Sequence, residues 1–414
     1  MTTTPPTFSV HRLAWDDAEL GNITLGTRDA PILASFGSGL ARRSSDPAGI
    51  AWAISDRGPN LKPETLVKRF GMQSMRALET LSGAKVMPRP DIGPRIAKLR
   101  IHDDKVELVE EIRICLASGT PVSGLPPKSS AHALSEPVFD LAGNPLPLDP
   151  NGLDTEGIIA LSSGGFWVAD EFGPSLVRLD ESGQVVGRYV PEGWSCADAE
   201  CPIHPVLPAI AARRQLNRGF EGIAMSPDEA TLFVAFQSPL AHPDEAAHKA
   251  ARHVRVWCLD AVTLQVTAQY LYPLDEPASF VRDCATGLVD WSDLKVSELV
   301  ALSHDELLVL ERGSETTKIY RVTLTSERAL PAAQLAATTR PTVEQLSAAG
   351  EPLPELVKTL LLSSDEVPEL VADLEGMVVL SSSELLLVND NDFGVEGTKT
   401  RFAKIVFDTP VFAV

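Results

Sequence analysis

The sequence lacks several features that would assign it to a common functional class. No run of about 18 apolar residues occurs among its 414 residues, so we expect no transmembrane helix. The first residues, MTTTPPTFSVHRLAW, contain no basic segment followed by an apolar one, so we expect no signal peptide in the sequence as given. No GxSxG, HExxH or P-loop motif is present, which argues against a serine-hydrolase elbow, a zincin and a nucleotide-binding loop.

Cysteines and basic residues are too few or too scattered to define a site. The five cysteines form neither a CxxC pair nor a zinc pattern. Cys196 and Cys201 could close a small disulfide ring or stay free thiols. With 56 acidic residues against 36 Lys and Arg, the formal charge is −20, and no basic stripe is visible, so we expect no nucleic-acid partner. The acidic excess is compatible with cation binding, although solubility alone is the commoner cause.

The sequence does contain a repeated pattern of acids and apolar runs. In DTEGIIALSSGGFWVADEFGPS, residues 154–175, an acidic start precedes an apolar run, a Gly-Gly turn and a second apolar run that ends in Asp170 and Glu171. The same order recurs in GFEGIAMSPDEATLFVAFQSPL, VSELVALSHDELLVLERGSE and DLEGMVVLSSSELLLVNDNDFG. Each copy predicts a two-stranded hairpin that begins at a glutamate.

The spacing of the copies favours a β-propeller. The recurring glutamates stand 65, 77 and 77 residues apart and are Glu156, Glu221, Glu298 and Glu375. An earlier, imperfect copy, residues 38–60, aligns Trp52 with Trp167 and has Ala48-Gly49 where Glu-Gly is expected. Because a propeller blade needs about 40–50 residues, the longer periods imply insertions. Five visible copies and one unit around KVELVEEIRICLA (105–117) predict a single all-β domain over 1–414 with six blades, or seven.

Three segments interrupt the strand pattern. The Pro-rich stretch 119–150 predicts a long loop over one face of the propeller. Residues 241–253 are rich in alanine, and residues 342–367 carry Leu and Val at helical spacing, so both predict helical insertions.

The repeated acids predict a metal site at one mouth of the central channel. If the four glutamates occupy equivalent positions on innermost strands, they converge from different blades on one axis. Converging carboxylates repel each other, and a hard cation such as Ca²⁺, which takes six to eight oxygen ligands, relieves this repulsion. Another divalent cation could serve, and each glutamate could instead accept backbone N–H groups within its blade.

A second set of polar residues ends the following strand of each hairpin. We expect Asp170 and Asp390 to join the metal ligands, and Asp56 and Glu171 to line the same rim. Arg57, Arg218 and Lys295 stand near these positions and could bind a phosphate or carboxylate ester, since guanidinium and ammonium groups both recognise such anions. Salt bridges within the acidic rim are the alternative.

Taken in order, these pieces resemble a known family. SDPAGIAWAISDRGPN, DTEGIIALSSGGFWVADEFGPSLVRLD, NRGFEGIAMSPDEATLFVAFQSPL, KVSELVALSHDELLVLERG and DLEGMVVLSSSELLLVNDND are similar to the phytase-like family called "esterase-like activity of phytase" and span residues 38–394. The resemblance implies a β-propeller and hydrolysis of phosphate or carboxylic esters. Members are commonly exported, so a periplasmic or extracellular location is implied, and the sequence as given leaves the compartment open.

The acid ring and the resemblance together lead to a functional hypothesis. It is a metal-dependent ester hydrolase in which Asp56 or Glu171 is the general base. Arg57, Arg218 or Lys295 stabilises developing negative charge. We expect a small-molecule ester substrate, no membrane partner and a monomer. The alternative is a non-catalytic propeller that binds a ligand or a protein and holds a structural ion.

Overall fold

A computed structural model describes residues 6–128, 135–196 and 198–412. Strands dominate and helices are short. In chain order the strands are β1 Phe8–Leu13, β2 Glu19–Leu25, β3 Arg28–Leu33, β4 Gly39–Ala41, β5 Ile50–Ile54, β6 Lys85–Val86, β7 Arg95–Ile101, β8 Val106–Arg113, β9 Val138–Phe139, β10 Thr155–Ala160, β11 Phe166–Asp170, β12 Ser175–Leu179, β13 Val185–Pro191, β14 Ile203–Leu207, β15 Phe220–Met225, β16 Thr231–Phe236, β17 His253–Asp260, β18 Val266–Pro273, β19 Lys295–Ala301, β20 Glu306–Arg312, β21 Thr317–Thr323, β22 Lys358–Ser363, β23 Leu374–Ser381, β24 Glu384–Asn389 and β25 Phe402–Phe407. The helices are α1 Pro63–Phe70, α2 Glu245–Ala250, α3 Val281–Thr286 and α4 Val343–Ala348.

Five sheets form the blades of a propeller. Their strand orders, from the innermost strand outward, are β4-β5-β7-β8, β10-β11-β12-β13-β14, β15-β16-β17-β18, β19-β20-β21-β22 and β23-β24-β25-β1; we number them blades 1 to 5. The innermost strands contact one another in the closed order β4, β10, β15, β19, β23 and back to β4. The N-terminal strand β1 pairs with β25, so the two ends of the described chain share blade 5 and close the ring.

The predicted six blades are therefore wrong, and the β-propeller itself is confirmed. KVELVEEIRICLA, which was assigned to an extra unit, supplies β8, the outermost strand of blade 1. The other residues between the first two copies form an insertion between β5 and β7 and the chain that leads to β10.

Apolar side chains fill the spaces between neighbouring blades. The rings of Trp52 in blade 1 and Phe166 in blade 2 lie 4.9 Å apart, edge to face. Trp257 in blade 3 is fully buried and packs edge-on against Phe236 of the same blade, at 5.1 Å. Both belong to an apolar cluster that also contains Trp167 of blade 2 and Val309 of blade 4. Strand residues alternate between the two faces of each sheet, and both faces are covered, which explains why the repeats read as nearly continuous apolar runs.

A small cap stands beside the ring. It consists of the hairpin β2-β3, helix α1, the 3-10 helix Gln73–Thr80 and the short parallel pair β6-β9. Its apolar side chains form a separate cluster that also includes Phe393 of blade 5. The described part of the Pro-rich segment, 119–128 and 135–150, contributes β9 to this cap, and residues 129–134 lie outside the described residues.

The helical predictions hold only in part. Residues 241–253 contain α2 and the first residue of β17. Residues 342–367 contain α4, but 358–363 form β22, the outermost strand of blade 4. The Leu-rich run there pairs with β21, so sheet pairing overrides its helical spacing. Among the described residues, every helix is too short or too polar to cross a lipid bilayer.

His242, next to α2, gives the fold a titratable buried group. It is 1% exposed, its Nε2 lies 3.3 Å from Arg340 Nη1, and its Nδ1 finds no partner in the described chain. Burial lowers the pKa of His242 to about 4, and Arg340 acts in the same direction. The neutral ring is therefore favoured in the folded state, whereas the unfolded chain takes up a proton below about pH 6.5.

The contribution of His242 to stability should fall as the pH drops from about 6.5 to 4, by on the order of 2 kcal/mol. We expect His242→Gln to remove that contribution, measured as the change in unfolding free energy between pH 7 and pH 4. His304→Gln, which alters an exposed histidine, serves as the control. An equal acid sensitivity of wild type and His242→Gln would contradict the prediction.

Candidate active site

Local irregularities in strand pairing direct three glutamates into one end of the channel. Glu156 and Glu375 are each the extra residue of a β-bulge at the start of an innermost strand. Glu221 lies in the equivalent shifted stretch of blade 3. A bulge re-aims the side chain of its extra residue. These three glutamates line a common cavity, so the geometry brings together three of the four recurring glutamates.

The glycine after the glutamate allows the innermost strands to come close. A Cβ added to Gly157 would lie 2.3 Å from the backbone oxygen of Glu221 in the next blade, and one on Gly222 would lie 2.8 Å from Leu299 N. No side chain fits at such distances without movement of the backbone. The Glu-Gly pair thus combines an aimed carboxylate with close packing of the ring.

Glu298 does not belong to this set. In blade 4 the extra residue of the bulge is Ser297, and Glu298 stands where the other blades have glycine. Its fully buried carboxylate accepts hydrogen bonds from Leu40 N at 3.0 Å and from Leu299 N at 3.1 Å, and it lies outside the acidic cavity. The prediction of Glu298 as a metal ligand is corrected, because strand pairing shifts the register by one residue from the equal spacing in the sequence.

The first blade also needs a corrected alignment. Gly39 pairs with Ile54 and Ala41 with Trp52, so Ser38-Gly39 occupies the Glu-Gly position, and Ala48-Gly49 does not. The alignment of Trp52 with Trp167 agrees with the pairing, since Trp52 is opposite Ala41, two residues after the glycine of blade 1, and Trp167 is opposite Ile159, two residues after the glycine of blade 2. Blade 1 thus presents a serine where three other blades present a glutamate.

The ends of the second strands contribute a further layer of side chains to the cavity. Equivalent positions in the five blades hold Asp56, Glu171, Gln237, Arg312 and Asp390. Asp170, predicted as a ligand, lies one position earlier and faces away. It pairs with the buried Arg188 at 2.6 Å and accepts the amide of Asp154 at 3.0 Å. Side chains alternate along a strand, so adjacent acids cannot both face the channel.

The resulting cavity has a volume of about 320 Å³ and is strongly acidic. Nine carboxylates line it: Asp56, Glu156, Glu171, Glu221, Asp373, Glu375, Asp390, Asp392 and Glu396. Five cationic side chains line it as well: Arg57, Lys62, Lys85, Lys295 and Arg312. Lys62 and Lys85 come from the cap, which therefore forms one wall.

Arg57 is the cation with the largest number of acidic partners in this cavity. It is 3% exposed, forms ion pairs with Glu136 and Asp154, and lies 3.5 Å from Glu171. Its guanidinium stacks on the ring of Phe172, 4.8 Å from the centroid. The three carboxylates raise the pKa of Arg57 against the effect of burial, so its charge is fixed. Its first role is to neutralise buried acids.

The remaining predicted cations differ in position. Lys295 lines the cavity and makes no side-chain hydrogen bond or ion pair with the described residues, while burial lowers its pKa to about 7. Arg218 lies outside the lining and donates to Ser292 O at 3.4 Å. Arg312, which stands opposite Lys295 in the strand pair β19-β20 of blade 4, pairs with Asp373 at 2.7 Å and with Glu375.

Burial raises the pKa of the clustered carboxyl groups. It raises that of Glu171 to about 8 and that of Glu221 to about 7. The pKa values of Asp56 and Glu156 lie well above their ordinary values for the same reason, and neighbouring acids add to the effect. Without a counter-ion, protons would occupy part of this cluster at neutral pH.

The donor set fits a hard divalent cation. One oxygen each of Asp154, Glu156 and Glu171 lies within 4.8 Å of the others, and the same holds for Glu156, Glu221 and Glu375. Glu171 Oε1 and Glu221 Oε2 are buried and find no hydrogen-bond donor among the described residues. Unpartnered buried carboxylate oxygens are costly unless a cation or proton meets them. The acids can therefore bind a metal, and nothing in the oxygen donors selects calcium.

Several residues of the site were missed by the sequence analysis. Asp154 and Asp373 each stand two positions before a cavity glutamate, and this shared Asp-x-Glu spacing is a signal that could have found them. Glu136, Lys85 and Asp392 come from the Pro-rich segment, the cap and a tight loop, and no repeat marks them. Their places depend on tertiary packing.

Comparison with known proteins identifies relatives along most of the chain. The phytase-like family, described as "Esterase-like activity of phytase", matches residues 35–393. A protein of Arthroderma benhamiae named "Uncharacterized secreted protein" is 28% identical over 335 residues, which are 70% of this chain and 61% of that protein. The chain thus matches about three fifths of the length of this curated relative.

Solved structures with a similar course of the chain are more distant. A gluconolactonase from Xanthomonas campestris is 11% identical, with a TM-score of 0.35, over 98% of this chain and 100% of that one. A streptogramin B lyase is 10% identical, with a TM-score of 0.34, over 97% and 98%. The fold described above rests on strand pairing and not on these similarities.

Proposed function

We propose that this chain, which belongs to the phytase-like family described as esterase-like activity of phytase, is a metal-dependent hydrolase of phosphate or carboxylic esters that acts in the acidic cavity. The observation that carries the proposal is the convergence of Glu156, Glu221 and Glu375 from three blades on one point. A purely architectural role would leave their oxygens paired with donors, whereas Glu221 Oε2 has none in the described chain.

The clustered glutamates of the cavity are the proposed metal ligands. Glu156, Glu221 and Glu375 would hold the ion, and Ca²⁺ is our first choice because a cavity of this size can accommodate its shell of about six to eight ligands. When bound, a divalent cation supplies Lewis-acid polarisation of the scissile carbonyl or phosphoryl oxygen.

Two carboxylates on the second strands are placed for proton transfer. Asp56 and Glu171 occupy equivalent positions in neighbouring blades and both line the cavity. We infer that Asp56, which lies outside both groups of clustered glutamates, takes a proton from the attacking water and then gives it to the leaving alkoxide as the ester C–O or P–O bond breaks. Glu171 is the alternative base. Asp390, which accepts from Ser35 at 2.5 Å, lines the cavity beside Asp56 and is a further ligand candidate.

Lys295 is the cation best placed to receive the negative charge of the substrate. It lines the cavity without an ion-pair partner among the described residues, while Arg57 and Arg312 are already paired with acids. An anionic phosphate or an oxyanion next to its ammonium group would favour the charged form. Arg218 stands behind the lining and supports this region only through its charge.

A second group of residues resembles an esterase triad and is not favoured. Ser347 Oγ lies 2.7 Å from His253 Nδ1, and Glu355 Oε2 lies 2.8 Å from His253 Nε2. However, Ser347 is 1% exposed and its hydroxyl accepts the amide of Arg252 at 2.7 Å. A nucleophile must reach its substrate, so Ser347→Ala should leave ester hydrolysis unchanged.

The test of the proposal is removal of the metal. Purified protein, treated with EDTA and then dialysed, should lose hydrolysis of p-nitrophenyl phosphate, p-nitrophenyl acetate or a lactone by at least about 100-fold, since metal polarisation contributes several kcal/mol to the barrier. Addition of CaCl₂ or MnCl₂ should restore activity. Hydrolysis that survives complete metal removal would exclude this mechanism.

The same assay separates the alternative function, a binding propeller with a structural ion. In that case Glu221→Gln would lower the melting temperature and leave any turnover unchanged. We also infer that the protein acts outside the cytoplasm, where calcium is abundant, because the relative from Arthroderma benhamiae is named as a secreted protein. The expected monomer, without membrane or nucleic-acid partners, stays a prediction that light scattering can check.

A further inference from the structure

We propose that the acidic cavity binds two divalent cations and that Glu156 is the carboxylate shared by both. The inference rests on the proposed function only in that it concerns the same cavity, and it names the number of ions and their ligands. The first triad is Asp154, Glu156 and Glu171, and the second triad is Glu156, Glu221 and Glu375. Glu156 is the one residue common to both.

The dimensions of each triad suit one ion. Ca²⁺ binds oxygens at about 2.3–2.6 Å, so two ligands on opposite sides of one ion lie about 5 Å apart. The oxygens within each triad lie within 4.8 Å of one another. The triads form two such groups and not one group of five, which fits one ion in each triad better than a single ion shared by all five residues.

Each triad also contains a buried oxygen that lacks a donor. In the first triad it is Glu171 Oε1, and in the second it is Glu221 Oε2, with both residues 2% exposed. Within the described part of the chain no N–H or O–H group reaches either atom. One ion would satisfy one of these oxygens and leave the other unpartnered, at the cost of a buried charge.

The charge of the cavity agrees with two ions. Among the described residues, nine carboxylates and five cationic side chains line it, and Asp154 of the first triad adds a tenth carboxylate, which leaves five negative charges when all are ionised. One arginine accompanies each triad: Arg57 pairs with Asp154 and lies near Glu171, and Arg312 pairs with Glu375. A single guanidinium leaves the three carboxylates of a triad with a net negative charge, and two divalent cations offset four of the five remaining charges.

Binding of Mn²⁺ to the metal-stripped, full-length protein tests the proposal directly. We expect two Mn²⁺ per chain by elemental analysis after gel filtration. We also expect an exchange-coupled electron paramagnetic resonance spectrum, because a shared carboxylate connects the two ions. Glu171→Gln and Glu375→Gln, one from each triad, should each bind one Mn²⁺ and give the uncoupled six-line spectrum. Glu396→Gln, a cavity carboxylate outside both triads, should retain two coupled ions.

The outcomes separate this inference from the proposed function. One Mn²⁺ per wild-type chain, or two ions without coupling, would overturn the bridged pair even if ester hydrolysis depends on metal. Two coupled ions without hydrolysis of any ester would support the bridged pair and remove the hydrolase. Stoichiometry and coupling of the wild-type protein decide the matter even if a variant fails to fold, which circular dichroism reports.

Discussion

Metal-free protein should become less stable as the pH rises from about 5 to 8. Burial raises the pKa of Glu171 to about 8 and that of Glu221 to about 7, both above the ordinary value of 4.5. The folded chain therefore holds protons that the unfolded chain has already released in this window. Stability from these groups is complete below about pH 4.5 and is lost as the pH rises through the folded-state values. We expect a loss on the order of 3 kcal/mol, or roughly 5 °C in melting temperature.

Saturating Ca²⁺ or Mn²⁺ should abolish this loss, because a cation stabilises the ionised carboxylates that the fold otherwise disfavours. Melting curves at pH 5, 6, 7 and 8, in EDTA and in metal, measure the effect. Glu221→Gln should flatten the profile of the EDTA-treated protein, since it removes one titrating group. A melting temperature in EDTA that stays constant or increases toward pH 8 would mean that the cluster does not hold protons.

The propeller could be predicted from the sequence because its repeats follow local rules. Each hairpin needs an apolar run, a tight turn and a second apolar run, and four copies preserve this order. The number of blades could not be obtained in the same way. Helix α1, the following 3-10 helix and β6 of the cap lie between the second and third strands of blade 1, so chain length there reflects an insertion and not extra blades. The closing strand β1 carries no part of the motif.

The types of residue that line the site could be predicted from the sequence. The strand register, which decides which acids face the cavity, could not. Equal spacing matched Glu298 to Glu221, but the bulge in blade 4 places Ser297 at that position. A shift by one residue moves a side chain from the position that faces the channel to the next position, which packs against the neighbouring blade. Equal spacing in the sequence does not distinguish these two positions. The prediction of Asp170 as a metal ligand is corrected for a related reason. Asp170 is adjacent to Glu171 in the same strand, and only one of two adjacent side chains can face the cavity.

Arg57 explains how so many acids coexist in the cavity before any ion binds. Its guanidinium contacts Glu136, Asp154 and Glu171, all of which are nearly or fully buried. Breaking a buried ion pair from one side costs more than the pair contributes, because the remaining charge loses both its partner and water. The loss should therefore exceed that of any surface pair in the protein.

Arg57→Met should lower the free energy of unfolding by about 3–5 kcal/mol at pH 8 in EDTA. The loss should shrink toward pH 5, because protonation of Asp154 and Glu171, whose pKa values burial raises, then replaces the missing cation. Equilibrium urea unfolding at the two pH values measures both quantities. Lys68→Met, which removes an exposed pair with Glu64, should cost less than about 0.5 kcal/mol at either pH. If both variants lost the same free energy of unfolding, protons alone would neutralise the buried acids. Arg57 would then have no electrostatic role in preparing a cation site.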